Sequence, residues 1–269
     1  MTSKTVAIVH MIVLAGLALN SAAWANPKSD SVSGPCSNAS LSGPYGKLYG
    51  GAAVDGTPTT SLQEVTFDSA SGRFTSYTTA SHNGVISSLW VPGTYAVASN
   101  CTVAATYNLG TMHNDFSMVL TSEGFLYTSQ WEGATTEGFG VKQGSPTCST
   151  TGVTGSFGIE VTGVLVAGAP VTGPIALIGA LQFAVDPSGS GVITGHVAGS
   201  ENGTIHTFAQ EPVTGSYNVR KDCWGWATIT PKGHSEMRFR LLVVDGGNEM
   251  LAIETDANTV VSGSLVKGK

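Results

Sequence analysis

The sequence predicts an all-β protein built from two tandem antiparallel β-barrels of about eight strands each, with a β-sandwich as the alternative. Three observations carry this. The chain holds 35 Gly in 269 residues and only 11% charged residues; with its abundant Val, Thr and Ser, that mixture suits pleated strands joined by tight turns. Its second half repeats its first. Each half also divides into short alternating segments bounded by Gly, Asn-Gly or Asp-Ser.

The N-terminus comes first. Lys4 is the only charge before a run of apolar residues from Val6 to Leu19, and S-A-A-W-A follows. Ala23 and Ala25 give the small-x-small pattern of a cleaved export signal, so residues 1–25 are expected to be removed. The apolar run, about 14 residues, is short for a membrane span. No later segment reads as a transmembrane helix. The mature chain is therefore expected in the periplasm or outside the cell, starting at Asn26 with a short segment, 26–35.

The repeat organises the rest. V-P-G-T-Y-A-V-A-S-N-C (Val91 to Cys101) returns as V-T-G-S-Y-N-V-R-K-D-C (Val213 to Cys223). C-S-N-A-S-L-S-G-P-Y-G from Cys36 returns as C-S-T-T-G-V-T-G-S-F-G from Cys148. S-H-N-G (Ser81 to Gly84) matches S-E-N-G (Ser200 to Gly203), and D-F-S-M-V-L (Asp115 to Leu120) matches R-F-R-L-L-V (Arg238 to Val243). The unit is roughly 110 to 120 residues, the size of one domain. Its copies span 36–144 and 148–269, with 145–147 as a polar linker.

In the first unit the segments are Tyr45–Tyr49, Leu62–Phe67, Arg73–Ala80, Val85–Trp90, Thr94–Ala98, Thr102–Leu109, Phe116–Thr121 and Phe125–Trp131, with a further closing strand at Gly138–Lys142. Phe116, Met118 and Leu120 share one face, as do Phe239, Leu241 and Val243. Asn83-Gly84, Asn202-Gly203 and Gly246-Gly247 read as hairpin turns. Sequential antiparallel strands with short connections favour an up-and-down barrel, which leaves no open sheet edge.

Cys36, Cys101, Cys148 and Cys223 all lie in the exported part. Four cysteines in an oxidising compartment favour two disulfides, and three pairings are open. One early and one late cysteine per unit favours Cys36–Cys101 and Cys148–Cys223. Each would close a loop of about 66 to 76 residues, worth about 4 kcal/mol in the chain-entropy account. The cysteines and histidines show no metal-ligand spacing, so no metal is expected.

Lys4 is the one charge lost with the signal, which leaves 18 acidic residues against 11 of the 12 basic ones. Such a chain lacks the basic face that nucleic acid requires. There is no G-x-S-x-G, no H-E-x-x-H, no phosphate-cradling loop and no dinucleotide fingerprint. No cofactor is expected.

The pattern G-T-Y-x-V before a cysteine, F-x-x-V after it, and I-E-T-D-A-N-T-V-V-S-G (Ile253 to Gly263) resembles a group of secreted bacterial tandem-repeat proteins. At fold level these look like calycin and allene-oxide-cyclase-like barrels. The resemblance implies a barrel enclosing a small ligand, or a cofactor-free cyclase or isomerase. Lipocalins carry Gly-x-Trp on the first strand, whereas Gly43-Pro44-Tyr45 and Gly155-Ser156-Phe157 hold an aromatic but no Trp. No catalytic motif of the cyclases matches residue by residue.

Four aromatics and one acid stand out. Trp224 and Trp226 flank Gly225 and point to one side of a strand, where they line a cavity or cover the barrel. Tyr95 and Tyr217 recur at one strand position, as a structural feature or as phenols reaching a ligand. Glu254 shares a face with Met250 and Ala252; a carboxyl among apolar neighbours suits a general acid. Three functions stay open: a binding protein enclosing a small apolar or amphipathic ligand, a cyclase or isomerase using Glu254, and a structural or adhesive surface protein with filled barrels. The oligomeric state is not legible.

Overall fold

The computed structural model describes residues 32, 34–53, 55–109, 112–131, 134–144, 148–206 and 212–268. The expected signal 1–25 and the linker 145–147 lie outside the described residues. The chain forms two closed antiparallel barrels in tandem. Eight strands run in sequence around the first: β1 (Gly43–Ala52), β2 (Pro58–Asp68), β3 (Arg73–His82), β4 (Val85–Val97), β5 (Thr102–Leu109), β6 (Met112–Leu120), β7 (Gly124–Trp131) and β8 (Ala134–Lys142). β8 pairs back onto β1 and closes the sheet.

The second barrel uses β9 (Gly155–Leu165), β10 (Gly173–Val185), β11 (Gly191–Glu201), β13 (Val213–Val219), β14 (Trp224–Pro231), β15 (Met237–Val244), β16 (Glu249–Glu254) and β17 (Thr259–Lys267). β17 pairs with β9, and β12 (Thr204–His206) is a short hairpin arm on β11. Both hairpins predicted from Asn-Gly have positive φ at both residues: Asn83 at 48° and Gly84 at 77°, Asn202 at 47° and Gly203 at 80°. That is the primed turn whose twist matches the flanking strands.

One expected break is absent. Val85–Trp90 and Thr94–Ala98, except its last residue, fall in the single strand β4, running through Pro92-Gly93. The β4–β5 ladder begins only at Gly93, opposite Tyr107, so the missing Pro92 N–H interrupts no bond on that side. The eighth strand is then the closing segment before the linker.

Each barrel is sealed at one end by the segment that precedes it. Cys36–Cys101 and Cys148–Cys223 are both formed. They tie the segments carrying η1 (Asn38–Ser40) and η2 (Thr150–Gly152) to the turns before β5 and β14. Above the seals, aromatic side chains fill the bores. Phe67 contacts Tyr45, Phe74, Tyr95 and Phe125 with ring centres 5.0–6.0 Å apart. Phe183 contacts Phe157 and Tyr217 at 5.1 and 4.8 Å.

The barrels pack side to side. Leu48, Leu62, Phe139 and Val141 from the outside of barrel 1 join the apolar cluster of barrel 2. A Cβ on Gly46 would meet Val244 at 2.4 Å and Leu242 and Leu251 at 3.1 Å, so the missing side chain is the dent that seats them. Gly84 allows a second close approach, since a Cβ there would lie 2.4 Å from Asn258 Cα. The Asn258 N–H donates to the Gly84 carbonyl at 3.0 Å, and Thr60 and Ser262 share a hydroxyl hydrogen bond of 2.7 Å.

Candidate sites: two buried ionisable groups, a seam and an open groove

The repeated tyrosines meet the seals. Tyr95 Oη donates to the Leu41 carbonyl at 2.8 Å. Tyr217 Oη donates to the carbonyls of Val153 at 2.7 Å and Thr150 at 3.0 Å. Burial pushes the Tyr217 phenol up to about 12. Both tyrosines hold the end segment across the mouth of a barrel, and this shared task explains why the repeat retains them.

Trp224 and Trp226 lie on the outer face of barrel 2. Trp224 is enclosed in the seam, edge-on to Tyr77 at 5.3 Å, with the Arg240 guanidinium 5.0 Å from its ring. Its indole N–H donates to Glu64 Oε2 at 2.8 Å. Trp226, two residues on, is 47% exposed. On the barrel 1 side Trp90 lies tilted against Tyr77, ring centres 5.0 Å apart, and is 67% exposed. The pair read as one surface from the sequence is thus divided, one indole joining the barrels and one facing solvent.

Glu254 faces the bore of barrel 2. It alternates with Met250 and Ala252 and stands opposite Phe239, all buried. It is 4% exposed, and its Oε2 has no hydrogen-bond partner among the described residues. Burial first, and the nearby Asp256 second, push its pKa up to about 8. Near neutral pH the group is an acid with a proton to donate.

Barrel 1 holds a buried base, Lys47, whose residue type and spacing the sequence pattern does not set apart. Lys47 is 1% exposed on the inner face of β1, between Tyr45 and Tyr49. Its Nζ lies 3.4 Å from the centre of the Tyr127 ring, 4.8 Å from Phe116 and 5.2 Å from Tyr49. It donates to Tyr107 Oη at 3.5 Å, and Tyr107 in turn donates to Gln63 Oε1 at 2.9 Å. Burial holds the amine well below the ordinary lysine value. The rings gather because Gly138 separates Tyr49 from Tyr127 in the sheet, and Gly140 separates Lys47 from Phe125. The available signal was alternation: in P-Y-G-K-L-Y-G a lysine shares its strand face with two aromatics.

Outside barrel 2 lies an open groove of about 680 Å³, crossing β17, β9, β10 and β11. Gly158, Glu160, Ile178, His196, Ala198 and Val266 line it. Ile178 is 59% and Val266 48% exposed, a large apolar exposure for outward positions. Among the described residues no cluster of His, Cys, Asp and Glu could hold a metal ion.

Comparison with protein-family models, with curated proteins and with solved structures finds no match.

Proposed function

We propose that the protein works outside the cytoplasm as a structural or adhesive surface protein, acting through the outer faces of two filled barrels. One contrast carries this reading. Among the described residues, inward rings such as Tyr45, Phe67 and Phe125 in barrel 1 and Phe157, Phe183 and Tyr217 in barrel 2 are buried and in mutual contact, while Trp90, Trp226, Ile178 and Val266 are left exposed on the outer faces. A filled eight-stranded barrel is a rigid body, and an exposed apolar groove marks a contact surface. The two disulfides support an oxidising compartment, in keeping with the signal expected from the sequence. Among the described residues no helix is long and apolar enough to cross a membrane. Native mass spectrometry of the protein from its own exported fraction tests the reading. A clean polypeptide mass, unchanged after incubation with host lipid extract, is expected. A retained small molecule would overturn it.

A second reading is favoured by the unpartnered Glu254 Oε2: barrel 2 opens to an apolar substrate and Glu254 supplies a proton, as in a cofactor-free isomerase. Glu254→Gln would then abolish turnover of a ligand found by mass spectrometry while leaving its binding intact.

A further inference from the structure

We infer that the chain associates head to tail, the β6–β7 face of barrel 1 in one copy seating in the open groove on barrel 2 of the next. The inference rests on the surface reading above and names the partner. It comes from the internal repeat.

Strand pairing places the two barrels in register. Gly46 stands opposite Glu64 and Val141, and Leu48 opposite Leu62. Gly158 stands opposite Ala180 and Val266, and Glu160 opposite Ile178. The groove is therefore the barrel 2 copy of the surface on which barrel 1 receives its neighbour. In barrel 1 the dent over Gly46 is filled by Val244, Leu242 and Leu251. Over Gly158, among the described residues, a Cβ would meet only a carbonyl of its own sheet, at 3.8 Å.

The matching half is also free. In barrel 2 the inserted residues follow the ladder from Trp224 to Leu242 to Leu251. In barrel 1 the same ladder runs from Thr102 to Val119 to Leu126. Leu242 and Leu251 are fully buried, whereas Val119 is 50% and Leu126 36% exposed. Among the described residues each chain thus presents one unused socket, on barrel 2, and one unused insert, on barrel 1.

Two differences bear on strength. The hydrogen-bonded pair of Trp224 and Glu64 is replaced on both free halves at once, by Thr102 and Ala180. Glu160 and His196 stand where the seam has Leu48 and Tyr77. The free contact therefore lacks the seam's anchor and has a more polar lining, so it should be weaker and depend on concentration. A contact between two different faces leaves one free face at each end of a dimer, so it continues as an open chain or, if the rotation closes, as a ring.

Sedimentation velocity on the full chain from Asn26, over a concentration series, reads this. The wild type should show a sedimentation coefficient that rises with concentration. Val119→Asp spoils the insert and Ile178→Asp spoils the socket. Each should lower the association constant at least about tenfold. Mixed in equal amounts they should form a one-to-one dimer that grows no further, since each supplies the face the other lacks. Both positions are exposed, so both variants should keep the wild-type thermal transition. A wild type that stays monomeric at its highest soluble concentration overturns the inference, as do variants that fail to pair. A clean native mass with a monomeric wild type removes the head-to-tail contact alone, whereas a retained small molecule removes the surface reading itself.

Discussion

Trp224 of barrel 2 donates its indole N–H to Glu64 of barrel 1 across the seam at 2.8 Å. Burial raises the Glu64 pKa, and this hydrogen bond pulls it partly back. Trp224→Phe keeps most of the packing against Tyr77 and removes the donor, leaving a half-buried carboxylate short of a partner. We expect a loss of about 1–3 kcal/mol in chemical denaturation. Trp224→Ala also removes the indole from the seam and should cost about 3–5 kcal/mol. A cost no greater than that of an exposed substitution such as Trp226→Ala would mean that the seam does not stabilise the fold.

The seals give a paired prediction. Tyr217→Phe leaves two carbonyls, those of Val153 and Thr150, without the phenol they share, and Tyr95→Phe leaves the Leu41 carbonyl without its donor. Each should lower stability by about 1–3 kcal/mol. Reducing the disulfides should open the same ends, with a cost of about 4 kcal/mol for each loop. Hydrogen exchange should then rise first around η1 and η2. Exchange that rises uniformly would show that the segments are not local seals.

Glu254 sets a pH dependence with a definite sign. Its carboxyl shifts from an ordinary value of 4.5 to about 8 in the folded chain. Between these values the folded state keeps a proton that the unfolded state has lost. Stability contributed by the protonated group is complete below about pH 4.5 and falls as pH rises to about 8, by up to about 1.4 kcal/mol per pH unit. Glu254→Gln should flatten this slope and leave acid stability nearly unchanged. Equal slopes in wild type and variant across that range would remove Glu254 as the source.

Lys47 acts in the opposite sense. Its folded pKa is lowered, so the unfolded state binds the proton more readily, and stability grows as pH rises from the folded value toward 10.5. Near neutral pH the buried amine is a cost. Lys47→Met, similar in length and apolar, should raise the melting temperature and weaken the alkaline gain. A lowered melting temperature would show that the contacts with Tyr127, Phe116 and Tyr107 outweigh desolvation.

Much of the fold was legible because its signals are local. The Asn-Gly turns, the alternation of Phe116, Met118 and Leu120, and the doubled cysteines each act over a few residues or through the repeat. Pro92-Gly93 suggests a break that the fold does not make, since a proline is harmless where a ladder has not begun, and only the pairing of β4 with β5 shows where that is. The sites were less legible. Alternation placed Glu254 with Met250 and Ala252, and the structure puts that face in the bore. Trp224 was equally clear as one of a pair, but no local pattern could show that its side of the strand meets Glu64 and Tyr77. Lys47 is not legible as a buried group, because a lone lysine in a strand ordinarily faces water.

The sequence by itself determined the strand content, the duplication and the grouping of the cysteines, because turn chemistry, pleat period and self-similarity are written along the chain. The tertiary structure decided which outer face of each barrel is covered. Gly46 and Gly158 belong to the same repeat position, yet one receives Val244 and the other is open. The physical reason is that a tandem pair has two copies of each face and only one seam, so one socket and one insert remain without a partner among the described residues.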